Sequence, residues 1–423
     1  MNLKFRLDKI LLITLLLCAT EMTLAQTLTL QEAQQKARAH YPMSRGKELL
    51  DQTQAINIAN LSKGYLPQVS VNAQATYQSA VTKVNIPIPG VTVPAMDKDQ
   101  YKVTADINQS LYDGGVIANQ QKISKLSTET QKQQLEVELF QVRERVNQVY
   151  LSILYLDEQL KQVDLVTSDL QTGINKTQAQ VNNGVAFRSN LDVLNAELLK
   201  NKQRTIELQF SRTGLVETLG FFTGEQYNPL MALAIPGSGP MNEEINRPEL
   251  ILFGDRQRLA DQQKSLLDAK NTPRLSLFGQ GGYGRPGLNM LSSQFDWFYL
   301  AGLRLNWSFG GFYTLKNEKK QLDLDKSTIA LQKETFLLNI KTQLSQQAAE
   351  IRKQKLLLNT DEEIITLRER IITAAKAQLE NGVITANDYL REVNAADQAR
   401  QNRAAHQLLL LQAQITYKNI TGY

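Results

Sequence analysis

Leu66-Pro-Gln-Val-Ser70-Val-Asn-Ala-Gln74-Ala-Thr-Tyr77 returns about 200 residues later as Thr272-Pro-Arg-Leu-Ser276-Leu-Phe-Gly-Gln280-Gly-Gly-Tyr283, with Pro, Ser, Gln and Tyr in register. Further along, Ile107-Asn-Gln-Ser-Leu111 returns as Leu305-Asn-Trp-Ser-Phe309, and Asn183-Gly-Val185 returns as Asn381-Gly-Val383. A unit used twice is an architectural statement. Read outward from these segments, each copy runs helix, strand, strand, very long helix, helix. The first copy spans residues 26–223, a Pro- and Gly-rich linker spans 224–248, and the second copy spans 249–423.

The repeated stretches alternate. Val69, Val71, Ala73, Ala75 and Tyr77 interleave with Ser70, Asn72, Gln74, Thr76 and Gln78, which predicts a strand at about 67–78 with one apolar and one polar face. The same period predicts strands at about 100–112, 273–284 and 296–309. Their length of about ten residues and their aromatic ends (Tyr77, Tyr283, Trp297, Tyr299, Trp307, Phe309) match a tilted transmembrane strand with an aromatic girdle. Four strands cannot close a barrel, and an open edge in lipid leaves backbone groups unpaired, so the chain is expected to oligomerise. Lipid is the simplest cover for the apolar face. The segments 79–99 and 284–295 read as loops between paired strands. Lys102, Asp106 and Arg304 fall on polar faces and are expected to face a water-filled lumen.

Between the strand pairs, residues 116–182 contain no proline and one interrupting glycine, Gly173. Leu135, Leu139, Val142, Val146, Val149, Ile153, Leu156, Leu160 and Val163 follow a four-three spacing, an a/d seam that demands partner helices. The second long helix, about 312–381, keeps apolar residues seven apart from Leu337 to Leu379. Its intermediate positions include Gln347, Gln354, Asp361 and Arg368, which predicts a narrower buried seam. Asn-Gly at the end of each long helix marks a chain reversal at 182–190 and 380–388. Ser189 and Thr385 then read as N-caps, with Asp192 and Asp388 three residues on, close to a capping box.

The remaining signals exclude more than they suggest. Lys4, Arg6 and Lys9, an apolar core over 10–19 and Thr23-Leu-Ala25 read as a secretory signal of residues 1–25. The one cysteine, Cys18, lies inside it, and Leu17 stands where a small residue should precede a lipidated cysteine. No apolar run beyond the signal is long enough for a membrane helix. The net charge of +5 is spread along helices that alternate Lys and Arg with Asp and Glu, which argues against nucleic acid. Gly279-Gln-Gly-Gly-Tyr-Gly284 fits a dinucleotide fingerprint, but Arg285-Pro-Gly287 follows where a helix should begin. His40 and His406, far apart, make no metal pair. No catalytic constellation is present, so neither an enzyme nor a cofactor is expected.

Taken together, these residues resemble the TolC family of outer-membrane efflux and secretion channels over essentially the whole mature chain. The resemblance is carried by Leu28-Thr-Leu-Gln-Glu-Ala33, Leu66-Pro67, Leu111-Tyr-Asp-Gly-Gly115, the two Asn-Gly-Val tips with Asp192 and Asp388 beyond them, and Lys418-Asn-Ile-Thr-Gly422. It implies a mainly α fold with transmembrane β structure: a homotrimer whose chains contribute four strands each to a 12-stranded β-barrel continuous with an α-barrel. It implies a passive exit duct for small molecules in the outer membrane, reaching into the periplasm, that docks a periplasmic adaptor and an inner-membrane transporter. Docking falls to the tips, at Gly184, Val185, Asp192, Gly382 and Val383. By the same resemblance Asp388, six residues after its tip glycine, narrows the pore, with Glu392 as the second acidic candidate at the constriction. A second acidic residue one turn further is replaced here by Arg391, with Glu392 beside it. Protein secretion through the same duct is the alternative within the class. A periplasmic adaptor or a structural coiled coil is the alternative outside it.

Overall fold

In a computed structural model, the structure describes residues 27–82, 96–237, 239 and 241–423. The expected signal with Cys18, and most of the 79–99 loop, lie outside the described residues. The rest is mainly helical with one four-stranded antiparallel sheet. In chain order it runs α1 (Leu30–His40), α2 (Gly46–Ser62), β1 (Gln68–Tyr77), β2 (Asp99–Tyr112), α3 (Val116–Asn182), α4 (Arg188–Thr223), α5 (Pro248–Lys270), β3 (Arg274–Arg285), β4 (Asp296–Asn306), α6 (Phe312–Glu380) and α7 (Ala386–Thr421). The chain divides into two compact units, each drawing on both sequence copies.

The unit of Arg45–Leu135 and Glu249–Phe336 holds the sheet, in the order β1-β2-β3-β4. The register pairs Ser70 with Asp106 and Asp106 with Gln280, so like faces align across the sheet. One face collects Val69, Val71, Tyr101, Val103, Ile107, Leu277, Tyr283, Trp297, Tyr299, Leu303 and Leu305, as the period-two reading predicts. At the end of β2, Asp113 caps α3: its carboxylate accepts from the Gly115 and Ile117 amides at 2.9 and 2.6 Å. One glycine of β3 and one of β4 have a packing reason. Phe298 lies over Gly282 and Phe278 beside Gly302, where a β-carbon would meet the ring at 2.7 and 3.1 Å. The Gly-rich run lies inside β3, which is followed by another strand and not by a helix, so it is no pyrophosphate loop.

In the unit formed by the chain up to Ser44, Glu136–Pro248 and Leu337–Tyr423, α1 lies in a core with α3 and α4. Ala33, Val142, Val146, Ile153, Val216 and Leu219 are buried there, which is the a/d seam of α3 at work. The linker after α4 is tied down by two side chains. The Tyr150 hydroxyl lies 2.7 Å from the carbonyl oxygens of both Leu28 and Ala234. Arg212, buried, donates to Asp157 at 2.5 Å and to the carbonyls of Met231 and Pro229.

The seam of α6 buries fewer residues than that of α3, as expected, but Gln354 and Asp361 are among them. Gln354 Nε2 donates to Glu350, one turn back on the same helix, at 2.6 Å, while its Oε1 is buried without a partner; Asp361 meets His406 Nδ1 of α7 at 2.6 Å. A carboxylate can occupy a buried heptad position when the facing helix supplies its partner, as His406 does for Asp361.

Candidate functional site

Both tips are built the same way. At the end of α3, Val185 N–H donates to Gln180 O at 2.9 Å and Gly184 N–H to Val181 O at 3.0 Å. At the end of α6, Val383 donates to Gln378 O at 2.9 Å and Gly382 to Leu379 O at 3.1 Å. This double closure needs a left-handed residue, and Gly184 and Gly382 supply it at φ of +72° and +70°. It projects Val185 and Val383 outward, 75% and 71% exposed.

The next helices start in register, α4 at Arg188 and α7 at Ala386, and here the copies part. Thr385 caps α7: its hydroxyl accepts the Asp388 amide at 3.2 Å, and the Asp388 carboxylate accepts from the Thr385 hydroxyl at 2.8 Å and its amide at 3.2 Å. In the first copy the N-cap is Phe187, with no side-chain cap, and Ser189 is already inside the helix. The expectation of a Ser189 cap is therefore corrected. The reversal has one fixed length, so Phe187 takes the place of Thr385 and Asn190 that of Asp388, leaving Asp192 two residues beyond.

Hydrogen bonds from the Thr385 hydroxyl and amide, with Arg391 behind them, hold the Asp388 carboxyl below its ordinary range, so it is a capped, ionised and partly exposed carboxylate. Glu392 is not its twin. It accepts from Arg368 of α6 at 3.3 Å and from Arg391 at 3.4 Å, and is largely covered. The structure thus gives one open carboxylate and one committed to two guanidinium groups.

Behind the tips lies an arrangement that the pattern reading did not reach. Tyr389, fully buried, packs over Gly173, where a β-carbon would come within 2.6 Å of its ring, and its hydroxyl donates to Asp169 O at 3.0 Å. Burial pushes its ionisation up to about 12. Arg400 sits 3.5 Å from the Asp169 carboxylate. Lys176 pairs with Glu380, and Gln180 donates to Leu379 O. Burial raises the Asp397 carboxyl above its ordinary range although Arg204 stands 3.3 Å away. The signal that could have found this was Gly173, the only small break in 67 helical residues.

On the sheet, Lys102, Asp106 and Arg304 share the polar face, as expected. Lys102 lies over the Phe298 ring at 4.6 Å and Arg304 over Phe278 at 4.6 Å. Asp106 accepts from Asn72 at 2.8 Å, Thr104 at 3.1 Å and Gln280 at 2.5 Å, joining three strands. Among the described residues no group of His, Cys, Asp and Glu is placed to hold a metal ion, and no helix is long and apolar enough to cross a membrane.

Residues 49–225 match the outer membrane efflux protein family. No curated protein matches the chain in sequence. Solved channels share the fold. CusC superposes with a TM-score of 0.68 at 12% identity, over 93% of this chain and 92% of its own. The outer membrane protein VceC from Vibrio cholerae gives 0.65 at 13%, over 93% and 96%. The Campylobacter jejuni outer membrane channel CmeC gives 0.63 at 13%, over 93% and 85%.

Proposed function

We propose, since residues 49–225 match the outer membrane efflux protein family and 93% of the chain shares the fold of solved outer-membrane channels, that three copies form one efflux duct across the outer membrane and the periplasm. One observation carries the reading. The sheet turns a continuous apolar face outward, with Val69 66%, Val71 72%, Trp297 77% and Tyr299 83% exposed, and it ends in two edge strands, β1 and β4. Neither feature suits water: the face calls for an apolar solvent and the edges for further strands. Pairing β4 of one copy with β1 of the next satisfies both and closes a 12-stranded barrel in lipid.

The polar face, with Lys102, Asp106 and Arg304, then lines the lumen, and α3, α4, α6 and α7 line the periplasmic passage. Solutes pass by diffusion, because nothing in such a wall performs work. The energy comes from an inner-membrane transporter, reached through an adaptor that docks on the tips around Gly184, Val185, Asp192, Gly382 and Val383. Asp388 is the group that meets its symmetry mates at the narrow end. Three ionised carboxylates there repel one another and draw cations, giving a wet, charged constriction. Glu392, held by Arg368 and Arg391, backs that rim without adding to its field.

The efflux reading is preferred to protein secretion because the matched family is one of efflux proteins. A soluble adaptor or coiled coil would leave the sheet's apolar face in water. Planar-bilayer recording tests the proposal: the purified protein should give discrete conductance steps, and Asp388→Ala should raise the conductance and weaken cation selectivity. An unchanged Asp388→Ala channel rejects the constriction, and no steps at all reject the channel.

A further inference from the structure

The two ends of the sheet differ in charge and in ring arrangement. Where strands meet helices, Trp307 contacts Phe309 with centroids 4.7 Å apart, and Phe309 contacts Phe312 at 6.3 Å. Trp307 Nε1 donates to Asn271 O at 3.1 Å, which fixes the start of this row. The rings remain exposed, and Tyr313 beside them is 86% exposed.

The first two turns of α6 then add charge on the same side. At about 100° per residue, Lys316 falls roughly 40° from Phe312, and Lys320 falls roughly 20° from Tyr313. Lys319 is already taken by Asp268 at 2.5 Å. Glu318 is turned roughly 120° from Phe312 and lines a small cavity with Lys270. Lys316 and Lys320 are exposed and have no ion pair among the described residues. The opposite end of the sheet instead carries three carboxylates, Asp97, Asp99 and Asp296, against Lys98, which is exposed, and Arg285, which is held by Asp97 at 3.4 Å and by Asp99.

We propose that Trp307, Phe309, Phe312, Tyr313, Lys316 and Lys320 form a collar that binds the headgroups of anionic phospholipids in the membrane leaflet facing the periplasm. This rests on the channel reading above, which sets the helix end of the sheet at that leaflet. The rings sit at the boundary between acyl chains and headgroups, and the lysine stems lie along them with their ammonium groups at phosphate level. Each lysine near an anionic surface favours it by about fivefold. The carboxylates of the other end repel the same headgroups, so the charge difference also fixes which end of the barrel meets that leaflet.

Native mass spectrometry of the complex, released from bilayers of equal dioleoylphosphatidylglycerol and dioleoylphosphatidylcholine, tests the inference, with conductance recorded on the same preparation. The wild type should retain phosphatidylglycerol at least about fivefold over phosphatidylcholine. Lys316→Glu with Lys320→Glu should abolish that preference and leave conductance and subunit number unchanged, the paired glutamine variant should weaken it, and Lys98→Glu at the far end should not alter it. Equal retention of both lipids by the wild type, or a preference that survives the double glutamate variant, overturns the collar while the channel stands. A protein that gives no conductance and stays outside the bilayer removes the channel reading and the collar with it.

Discussion

Tyr389 is fully buried against Gly173, and any side chain at position 173 has to share that space. Gly173→Ala forces the ring away, with an expected loss of about 1–3 kcal/mol in thermal or denaturant unfolding. A variant as stable as the wild type would mean that the ring relaxes without cost. Tyr389→Phe keeps the packing and removes only the bond to Asp169 O, an expected cost of about 0.5–1.5 kcal/mol. Asp388 makes a pH prediction. Its folded value lies below its ordinary one, so its stabilising contribution to α7 is present above the unfolded value and is lost as pH falls through the folded value. The protection factors of the amides at 386–389, that is, exchange rates corrected for the intrinsic pH dependence, should therefore fall on acidification in the wild type, whereas Asp388→Asn should lack that acid-dependent step. The same step in both proteins would assign the acid response to another group.

The two hairpin tips supply a natural comparison at the scale of the element. α7 has the Thr385 and Asp388 box, whereas α4 begins behind an uncapped Phe187, 82% exposed. Phe187→Thr with Asn190→Asp should install the missing box and stabilise the start of α4 by about 0.5–2 kcal/mol, measured as slower exchange of its first-turn amides. If Phe187 touches the adaptor, the same variant should lose efflux while gaining stability. Unchanged exchange would show that the first reversal does not present its cap as the second does. Sequence periodicity placed the long elements closely: β1, expected at 67–78, runs Gln68–Tyr77, and α6, expected to reach 381, ends at Glu380, while β4, expected at 296–309, stops three residues early at Asn306. It misplaced the first cap because Ser189 carries a good capping side chain, while the turn length, set by backbone closure, puts position 187 there. It also read Gln354 and Asp361 as outside the seam, because a polar residue's burial depends on a partner such as His406, 45 residues away. The linker anchors Tyr150 and Arg212 were illegible for the same reason, since no spacing rule joins residue 150 to 234 or 212 to 231.

For the whole molecule, the open question of assembly is how a four-stranded sheet with an apolar face and two edges is completed. Period-two alternation revealed the faces, and the register of Asp106 across three strands bears that out. Lumen charge gives a check independent of assembly mass: Lys102→Glu with Arg304→Glu should shift the reversal potential in a salt gradient toward cation selectivity, and no shift would take those side chains off the conducting path. The most direct test of the central claim is the mass and membrane fraction of the purified protein, by sucrose-gradient fractionation followed by light scattering corrected for detergent. The account predicts a trimer from the outer membrane, needing detergent to remain in solution. A monomer or dimer that is soluble without detergent would contradict the shared barrel and return the chain to the class of soluble coiled coils.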